Sequence, residues 1–141
     1  LHQRAGSERV LELHGNWSRL ICTGCGEHFT LDDVDGARSG AVPRCPACAS
    51  VLRPDIVFYG EMLDNDVIEG AVRAISEADL LIVAGTSLVV YPAASLIDYY
   101  AGERLVLMNA TPTPYDSRAD LIIREPVGQV FQELERLRRQ P

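Results

Sequence analysis

An α/β fold is predicted, in which strands and helices alternate over residues 55–141 to build a parallel sheet, with a small four-cysteine module ahead of it over residues 16–54. Three observations predict it. The run Leu80-Leu81-Ile82-Val83-Ala84 is uninterrupted aliphatic sequence, as in a parallel strand covered on both faces. Strand-like and helix-like periodicities alternate from residue 55 onward. Every cysteine of the chain falls in one of two C-x2-C pairs upstream of that alternation.

Taken in order, Ile56-Val57-Phe58-Tyr59 is a short β-prone run stopped by Gly60. Asp64 is a helix N-cap, and Val67, Ile68, Ala71, Val72 and Ile75 follow at helical spacing. The aliphatic strand ends at Gly85, and a short helix is expected over residues 93–101. Leu105-Val106-Leu107-Met108 is the next strand, ended by Asn109. A Pro-rich loop over residues 111–115 leads to Leu121-Ile122-Ile123. Pro126 suits the first turn of a last helix whose apolar face is Val127, Val130, Phe131, Leu134 and Leu137. Arg136, Arg138 and Arg139 then complement that helix's C-terminus. Such alternation predicts right-handed crossovers and an open sheet.

At 141 residues the chain has room for one compact domain with a small satellite. It is 47% apolar and 23% charged, which permits a buried core and argues against wholesale disorder. Thirteen basic and twenty acidic side chains leave a formal charge of −7, a poor footprint for nucleic acid. All thirteen cations are arginine, so these residues offer no lysine for acylation or a Schiff base. The aliphatic run is too short to cross a bilayer and no signal peptide is evident, so a cytoplasmic protein without a membrane partner is expected. The chain opens on Leu1 and runs directly into motif-bearing sequence, and is expected to be part of a longer protein.

Cys22-Thr23-Gly24-Cys25 and Cys45-Pro46-Ala47-Cys48 are separated by nineteen residues. Each pair turns two thiolates toward one point, and four sulfurs complete a tetrahedral shell for Zn2+ with no open position, so the metal is expected to be structural. Two disulfides or an iron–sulfur cluster are the other uses of such a quartet. A reducing compartment and the spacing of a zinc ribbon favour zinc. Trp17 and Phe29 are expected to pad the module. Its charges, Glu27, Asp32, Asp33 and Asp35 against Arg19, Arg38 and Arg44, do not suit nucleic acid.

Ligands of open α/β sheets sit outside the carboxyl ends of the strands. Gly85-Thr86-Ser87 follows one strand with a side-chain-free approach and two hydroxyls. Asn109 follows the next with an amide suited to a ribose hydroxyl, and the third ends at Arg124-Glu125-Pro126-Val127, placed to close over a base. Together these favour a nucleotide. No G-x-G-x-x-G and no Walker A loop is present, and only one βαβαβ half of a doubly wound dinucleotide fold is visible. Of three histidines, His14 precedes Gly15, where backbone approaches a ligand closely and an imidazole titrates near neutrality. Spacing alone favours a structural or surface role for His14 over that of a base, and a surface or supporting role is expected for His28.

Several segments jointly resemble one family. Leu1-His2-Gln3-Arg4-Ala5-Gly6, Glu12-Leu13-His14-Gly15, the two C-x2-C pairs, Phe58-Tyr59-Gly60-Glu61, Gly85-Thr86-Ser87-Leu88-Val89-Val90-Tyr91-Pro92-Ala93, Asn109 and Ala119-Asp120-Leu121 stand in family order. In that combination the chain is similar, from its first residue to about Leu134, to the bacterial-type sirtuins, NAD-dependent protein-lysine deacylases. The resemblance implies half of a Rossmann-like parallel sheet, three or four strands with flanking helices, plus a zinc-ribbon module. Residues 1–15 would be a catalytic-loop segment of the Rossmann-like domain, 16–54 the zinc module and 55–141 the C-terminal half of the NAD-binding domain.

The same resemblance implies roles. His14 would be general base on the nicotinamide ribose hydroxyls, after the acyl oxygen has attacked the anomeric carbon and nicotinamide has left. The products would be a free lysine amine, nicotinamide and O-acyl-ADP-ribose. Val57 and Tyr59 would line an acyl-lysine tunnel, and the backbone at Gly60-Glu61 and Val90-Tyr91 would flank an inserted substrate peptide. Gly85, Thr86, Ser87 and Asn109 would hold NAD, with Val127 near the adenine. Cys22, Cys25, Cys45 and Cys48 would hold the structural Zn2+. Tyr59 stands where many members have Phe, and Glu125-Pro126 replaces a frequent Gly-Asp. The family's Gly-Ala-Gly phosphate loop and Gln-Asn-Ile-Asp segment would lie upstream of Leu1, so an incomplete C-terminal portion, inactive without its N-terminal half, is expected. An acyl-lysine protein or peptide is the expected partner. The competing expectation is a non-enzymatic zinc-ribbon module that binds a nucleotide or an acyl-lysine peptide.

Overall fold

The computed structural model describes residues 1–35, 37 and 39–140; Gly36, Pro141 and Arg38, one of the module's cations, lie outside the described residues. The chain divides into two compact units, Leu1–Ile68 and Glu69–Pro141.

The first unit opens with a 3-10 helix, Gln3–Ala5, and centres on a three-stranded antiparallel sheet of order β2-β1-β3. Its strands are β1 (Gly15–Cys22), β2 (His28–Thr30) and β3 (Leu52–Ile56). Pro54, which has no N–H to donate, is tolerated because β3 is an edge strand. The β1–β3 register breaks between Asn16, opposite Asp55, and Leu20, opposite Pro54, so Trp17, Ser18 and Arg19 bulge out of the ladder. The Asn16 side chain closes the bulge, its Oδ1 accepting from the Ser18 N–H at 2.7 Å and the Ser18 hydroxyl at 2.6 Å. Trp17 is therefore 71% exposed and does not pad the module. Phe29 does, packing with Leu31 against a core of Leu20, Cys22, Val34, Cys45 and Leu52.

The strand expected at Ile56-Val57-Phe58-Tyr59 lies earlier and ends at Ile56. Beyond it the chain turns back, with the Glu61 N–H donating to the Phe58 carbonyl at 3.0 Å and Gly60 at φ +86°. That conformation suits glycine.

Helix α1 (Asn65–Ser76) starts where the sequence predicts. The Asp64 Oδ1 accepts the N–H groups of Asp66 at 2.8 Å and Val67 at 3.2 Å.

The second unit holds a parallel sheet of order β4-β5-β6, built from β4 (Leu81–Ala84), β5 (Leu105–Met108) and β6 (Leu121–Ile123). The expected helix over residues 93–101 is a 3-10 helix, Ala93–Tyr99, and a second 3-10 turn spans Asp116–Arg118. Leu88, Ile97, Tyr100, Leu105 and Leu107 form the core, with Ile75, Leu81 and Val83 packed on it. β4 alternates in burial, Ile82 staying 42% exposed, so within this unit the strand is covered on one face only. Helix α2 (Val127–Arg138) begins one residue later than a first-turn proline requires, Pro126 serving as its extended N-cap at ψ 129°. Phe131, Leu134 and Leu137 remain about half exposed, and Arg138 and Arg139 pair with Glu135 at 3.0 and 2.9 Å. Among the described residues no helix is long and apolar enough to cross a membrane.

Replacing the α1 cap by Asp64→Ala is expected to lower stability by about 1 kcal/mol, since two first-turn N–H groups lose their acceptor. A denaturant midpoint identical to wild type would show that the cap carries no stability.

Candidate functional site

The cysteine pairs converge. All four Sγ atoms lie within 4.8 Å of one another, with Cys22 and Cys48 at 3.4 Å and Cys25 and Cys45 at 3.8 Å. Disulfides are excluded, because all four thiols are free and these distances far exceed an S–S bond of about 2.05 Å. A tetrahedral Zn2+ with Zn–S bonds of about 2.3 Å requires sulfurs about 3.8 Å apart, so the residues present fit one such ion. Local structure aims each thiol. The Gly24 and Cys25 N–H groups both point at the Cys22 Sγ, at 3.4 Å. A Cβ at Gly24 would meet the Ser50 hydroxyl at 2.3 Å, so this position requires glycine. In the second pair the Ala49 N–H donates to the Cys45 carbonyl at 2.8 Å.

The thiols differ in acidity. The Ser50 hydroxyl and backbone N–H favour the Cys48 thiolate and bring its pKa down to about 6. The Glu27 N–H favours the Cys25 thiolate, but the Cys22 sulfur, burial and the other two sulfurs outweigh it and push the thiol up to about 12. The Cys25 N–H likewise lowers the pKa of the Cys22 thiol, but collecting four negative sulfurs at one point requires a divalent cation.

His14 lies in a tight turn immediately before β1, exposed to solvent. The Gly15 N–H donates to the Glu12 carbonyl at 2.9 Å, and the His14 carbonyl accepts the Val57 N–H at 3.1 Å. Gly15 has φ +76° and passes so close to β3 that a Cβ would stand 2.0 Å from the Asp55 carbonyl oxygen. The Glu12 carboxylate braces the turn, accepting from the amides of Gln3 (2.8 Å) and Asn16 (2.6 Å) and from the Arg19 guanidinium (3.0 Å). Burial opposes its ionisation, yet these donors win and hold its pKa below the usual carboxylate value. Arg19 also reaches the Asp55 Oδ2 at 3.0 Å, and His28 Nδ1 stands 3.7 Å from the same oxygen.

Val57 is half-buried beside this turn, and Tyr59 is 99% exposed. Gly60 and Glu61 complete the exposed loop, so Val57, Tyr59, Gly60 and Glu61 belong to the same unit as His14.

In the second unit the polar residues at the strand ends come together. The Gly85 N–H donates to the Met108 carbonyl at 2.9 Å, and the Asn109 N–H to the Ile123 carbonyl at 3.0 Å, so the ladder continues one residue past β4 and β5. Gly85, at φ +65°, faces open space, and Thr86 and Ser87 are exposed beside it. The Asn109 Nδ2 donates to the Thr111 carbonyl at 2.9 Å and its hydroxyl at 3.3 Å, which leaves Oδ1 as an acceptor. Arg124 is engaged within the unit. Its guanidinium donates to the carbonyls of Asn109 (3.0 Å) and Thr111 (2.9 Å) and pairs with Asp116, tying the two loops together. Val127 is half-buried at the first turn of α2, and Val90 and Tyr91 are exposed.

The Sir2 family model matches residues 1–92, the stretch that carries the His14 turn, all four cysteines and Gly85 to Tyr91. The chain belongs to the Sir2 family.

Among curated Sir2 relatives, the NAD-dependent protein deacetylase of Clostridium acetobutylicum is 49% identical over 132 residues, covering 94% of this chain and 54% of the relative. That of Clostridium perfringens is 51% identical over 132 residues, covering 93% and 53%. This chain thus spans about half the length of the curated relatives it matches. A solved Sir2 complex with a p53 peptide and NAD+ superposes with a TM-score of 0.83 at 43% identity, covering 95% of this chain and 57% of that one. Sir2 bound to an acetylated peptide gives 0.84 at 42%, covering 95% and 58%.

The brace around the Sir2-family His14 turn was not legible in the sequence. Arg19 and Asp55 are 36 residues apart, and only the bulge brings Arg19 onto both acids.

Chelation, or Cys22→Ser, is expected to abolish the cooperative unfolding of the Leu1–Ile68 unit, and metal analysis should return one zinc per chain. A fold that survives stripping of the metal would contradict the tetrathiolate reading. Gly15→Ala should cost about 3 kcal/mol by forcing β1 away from the Asp55 carbonyl; a loss below the scatter of urea midpoints would contradict the close approach.

Proposed function

We propose that this chain is a portion of a cytoplasmic, bacterial-type NAD-dependent protein-lysine deacylase, an acyl-group transferase that releases nicotinamide and O-acyl-ADP-ribose. One observation carries the reading: the Val57 N–H to His14 carbonyl bond of 3.1 Å fixes the imidazole-bearing turn to the first residue of the 57–61 loop. A base and a peptide-binding segment held by one backbone bond keep their spacing while substrates come and go.

In this reading NAD, a co-substrate, supplies an activated bond between ribose and nicotinamide, which the acyl oxygen of the lysine substrate displaces. The protein residues bind, orient and move a proton. His14 accepts the proton of a ribose hydroxyl at an imidazole nitrogen, histidine being the side chain most often used as a general base. Val57 and Tyr59 flank the acyl-lysine, and the backbone of Gly60-Glu61 accepts the peptide as an added strand. Val90 and Tyr91 are the residues of the second unit assigned to the peptide. Gly85, Thr86, Ser87 and Asn109 take NAD at the ends of a Rossmann-like half-sheet, with Val127 near the adenine. The free Asn109 Oδ1 suits a ligand hydroxyl that donates. Cys22, Cys25, Cys45 and Cys48 hold a Zn2+ that crosslinks the module and takes no part in the reaction.

Three segments divide these tasks: residues 1–15 carry the base, 16–54 the metal and 55–141 the C-terminal half of the NAD-binding domain.

In the full-length protein, His14→Ala is expected to reduce acetyl-lysine-dependent nicotinamide release at least about a hundredfold, the usual scale of a general base, with zinc content and melting temperature unchanged. Turnover near the wild-type rate would overturn the assignment of the base.

A further inference from the structure

Arg53 is the last cation of the first unit, and nothing in the reading above uses it. It lies on β3, half-buried, with its guanidinium turned along the strand toward the loop that follows. There it makes three different contacts. Its Nη1 donates to the Ile56 carbonyl at 3.2 Å, and the guanidinium pairs with both Glu61 carboxylate oxygens at 3.2 Å. Its planar face stands 5.5 Å from the centre of the Phe58 ring. Glu61 completes the arrangement, its Oε2 accepting the Phe58 N–H at 3.0 Å while its own N–H returns to the Phe58 carbonyl at 3.0 Å. Both ends of the loop are thus tied to one side chain. Tyr59 and Gly60, at the tip, take no part in these bonds.

We propose that Arg53 is a positioning residue that clamps the 57–61 loop in its peptide-binding shape, with the Glu61 carboxylate serving as the other jaw and not as a contact to substrate. The proposal rests on the deacylase reading, in which this loop receives the acyl-lysine peptide. An extended peptide gains affinity from main-chain bonds only when the receiving edge is already ordered, because ordering the edge on binding subtracts from that affinity. Arg is the suited residue. Its fork reaches a carboxylate and a carbonyl at once and its plane lies on an aromatic ring, whereas lysine offers a point charge. The printed bonds of the clamp go to Ile56, Phe58 and Glu61, none of which is assigned to NAD, so its loss should act on peptide and spare NAD.

The test is steady-state nicotinamide release by the full-length protein, together with direct binding of a fluorescent acetyl-lysine peptide. Arg53→Gln is expected to raise the peptide KM and Kd about five- to tenfold, with the NAD KM and the kcat at saturating peptide within about twofold of wild type. Arg53→Lys should recover part of the loss, because it restores the charge without the fork. Glu61→Gln should reproduce the Arg53→Gln effect from the other jaw, and the double variant should be no worse than either single one. Glu61→Gln also decides the matter if Arg53→Gln does not fold. Unchanged peptide KM and Kd in folded variants, additive losses in the double variant, or equal losses for NAD and peptide would overturn the clamp. Failure of the wild-type protein to bind the acetyl-lysine peptide would overturn the deacylase reading and the clamp with it, whereas wild-type binding with unaffected variants would overturn the clamp alone.

Discussion

Four thiols brought to one point are the constraint on which the first unit depends. Among the described residues its buried core is small, Leu20, Val34 and Leu52 beside two of the cysteines themselves. So small a core does not offset the entropy of ordering a module rich in turns. A divalent ion bound by Cys22 and Cys25 from one hairpin and Cys45 and Cys48 from another closes the long loop between them. That loop then contributes Val34 and Ala37 to the core. The four-sulfur shell leaves no open position, so the ion acts on shape and on nothing else.

Shape is passed from that node to His14 along β1. The strand runs from Gly15, next to His14, to Cys22, which is itself a metal-ligating thiol. Its two ends therefore carry a metal site and the imidazole-bearing turn on one eight-residue element. Between them the bulge at Trp17, Ser18 and Arg19 serves as the adjusting screw, since it swings Arg19 back over Glu12 and Asp55. The exposed Trp17 is the by-product of that turn. Partly exposed ion pairs are individually weak, but here one arginine joins two carboxylates, one of which, Glu12, also accepts two side-chain amides, so the brace acts as a network.

What could be read from the sequence follows from where the information lies. The cysteine quartet, the Asp64 cap and the strands β4 to β6 were legible because each is written in adjacent residues: a spacing, a cap, an apolar run. The antiparallel sheet was not, because its strands hide their alternation behind a bulge, a proline and positions that serve the metal. The strand expected at residue 56 was displaced for a related reason. The β-prone Val57-Phe58-Tyr59 has the right composition, but Glu61 takes the Phe58 N–H and Gly60 turns the chain, so the ladder stops at Ile56. Arg124 is the converse case. Its place after a strand suggested a ligand contact, while two carbonyls and Asp116 claim its guanidinium from within the fold.

The same loss of freedom sharpens what the strand ends of the second unit can recognise. From sequence, Asn109 offered an amide that donates and accepts. In the folded loop both amide hydrogens go to Thr111, whose carbonyl is in turn fixed by Arg124, so rotating the amide to offer its N–H groups would break two bonds at once. Oδ1 remains, and it selects for donors. Beside it Gly85 presents backbone without a side chain, which admits a close neighbour, and Thr86 and Ser87 offer hydroxyls. Acceptor, bare backbone and hydroxyls at adjacent strand tips suit a sugar whose own hydroxyls donate better than they suit a bare phosphate, which has no hydrogen to give Oδ1. In the proposed reading, then, these tips would address the ribose side of a nucleotide and leave the charge of its phosphates to other groups.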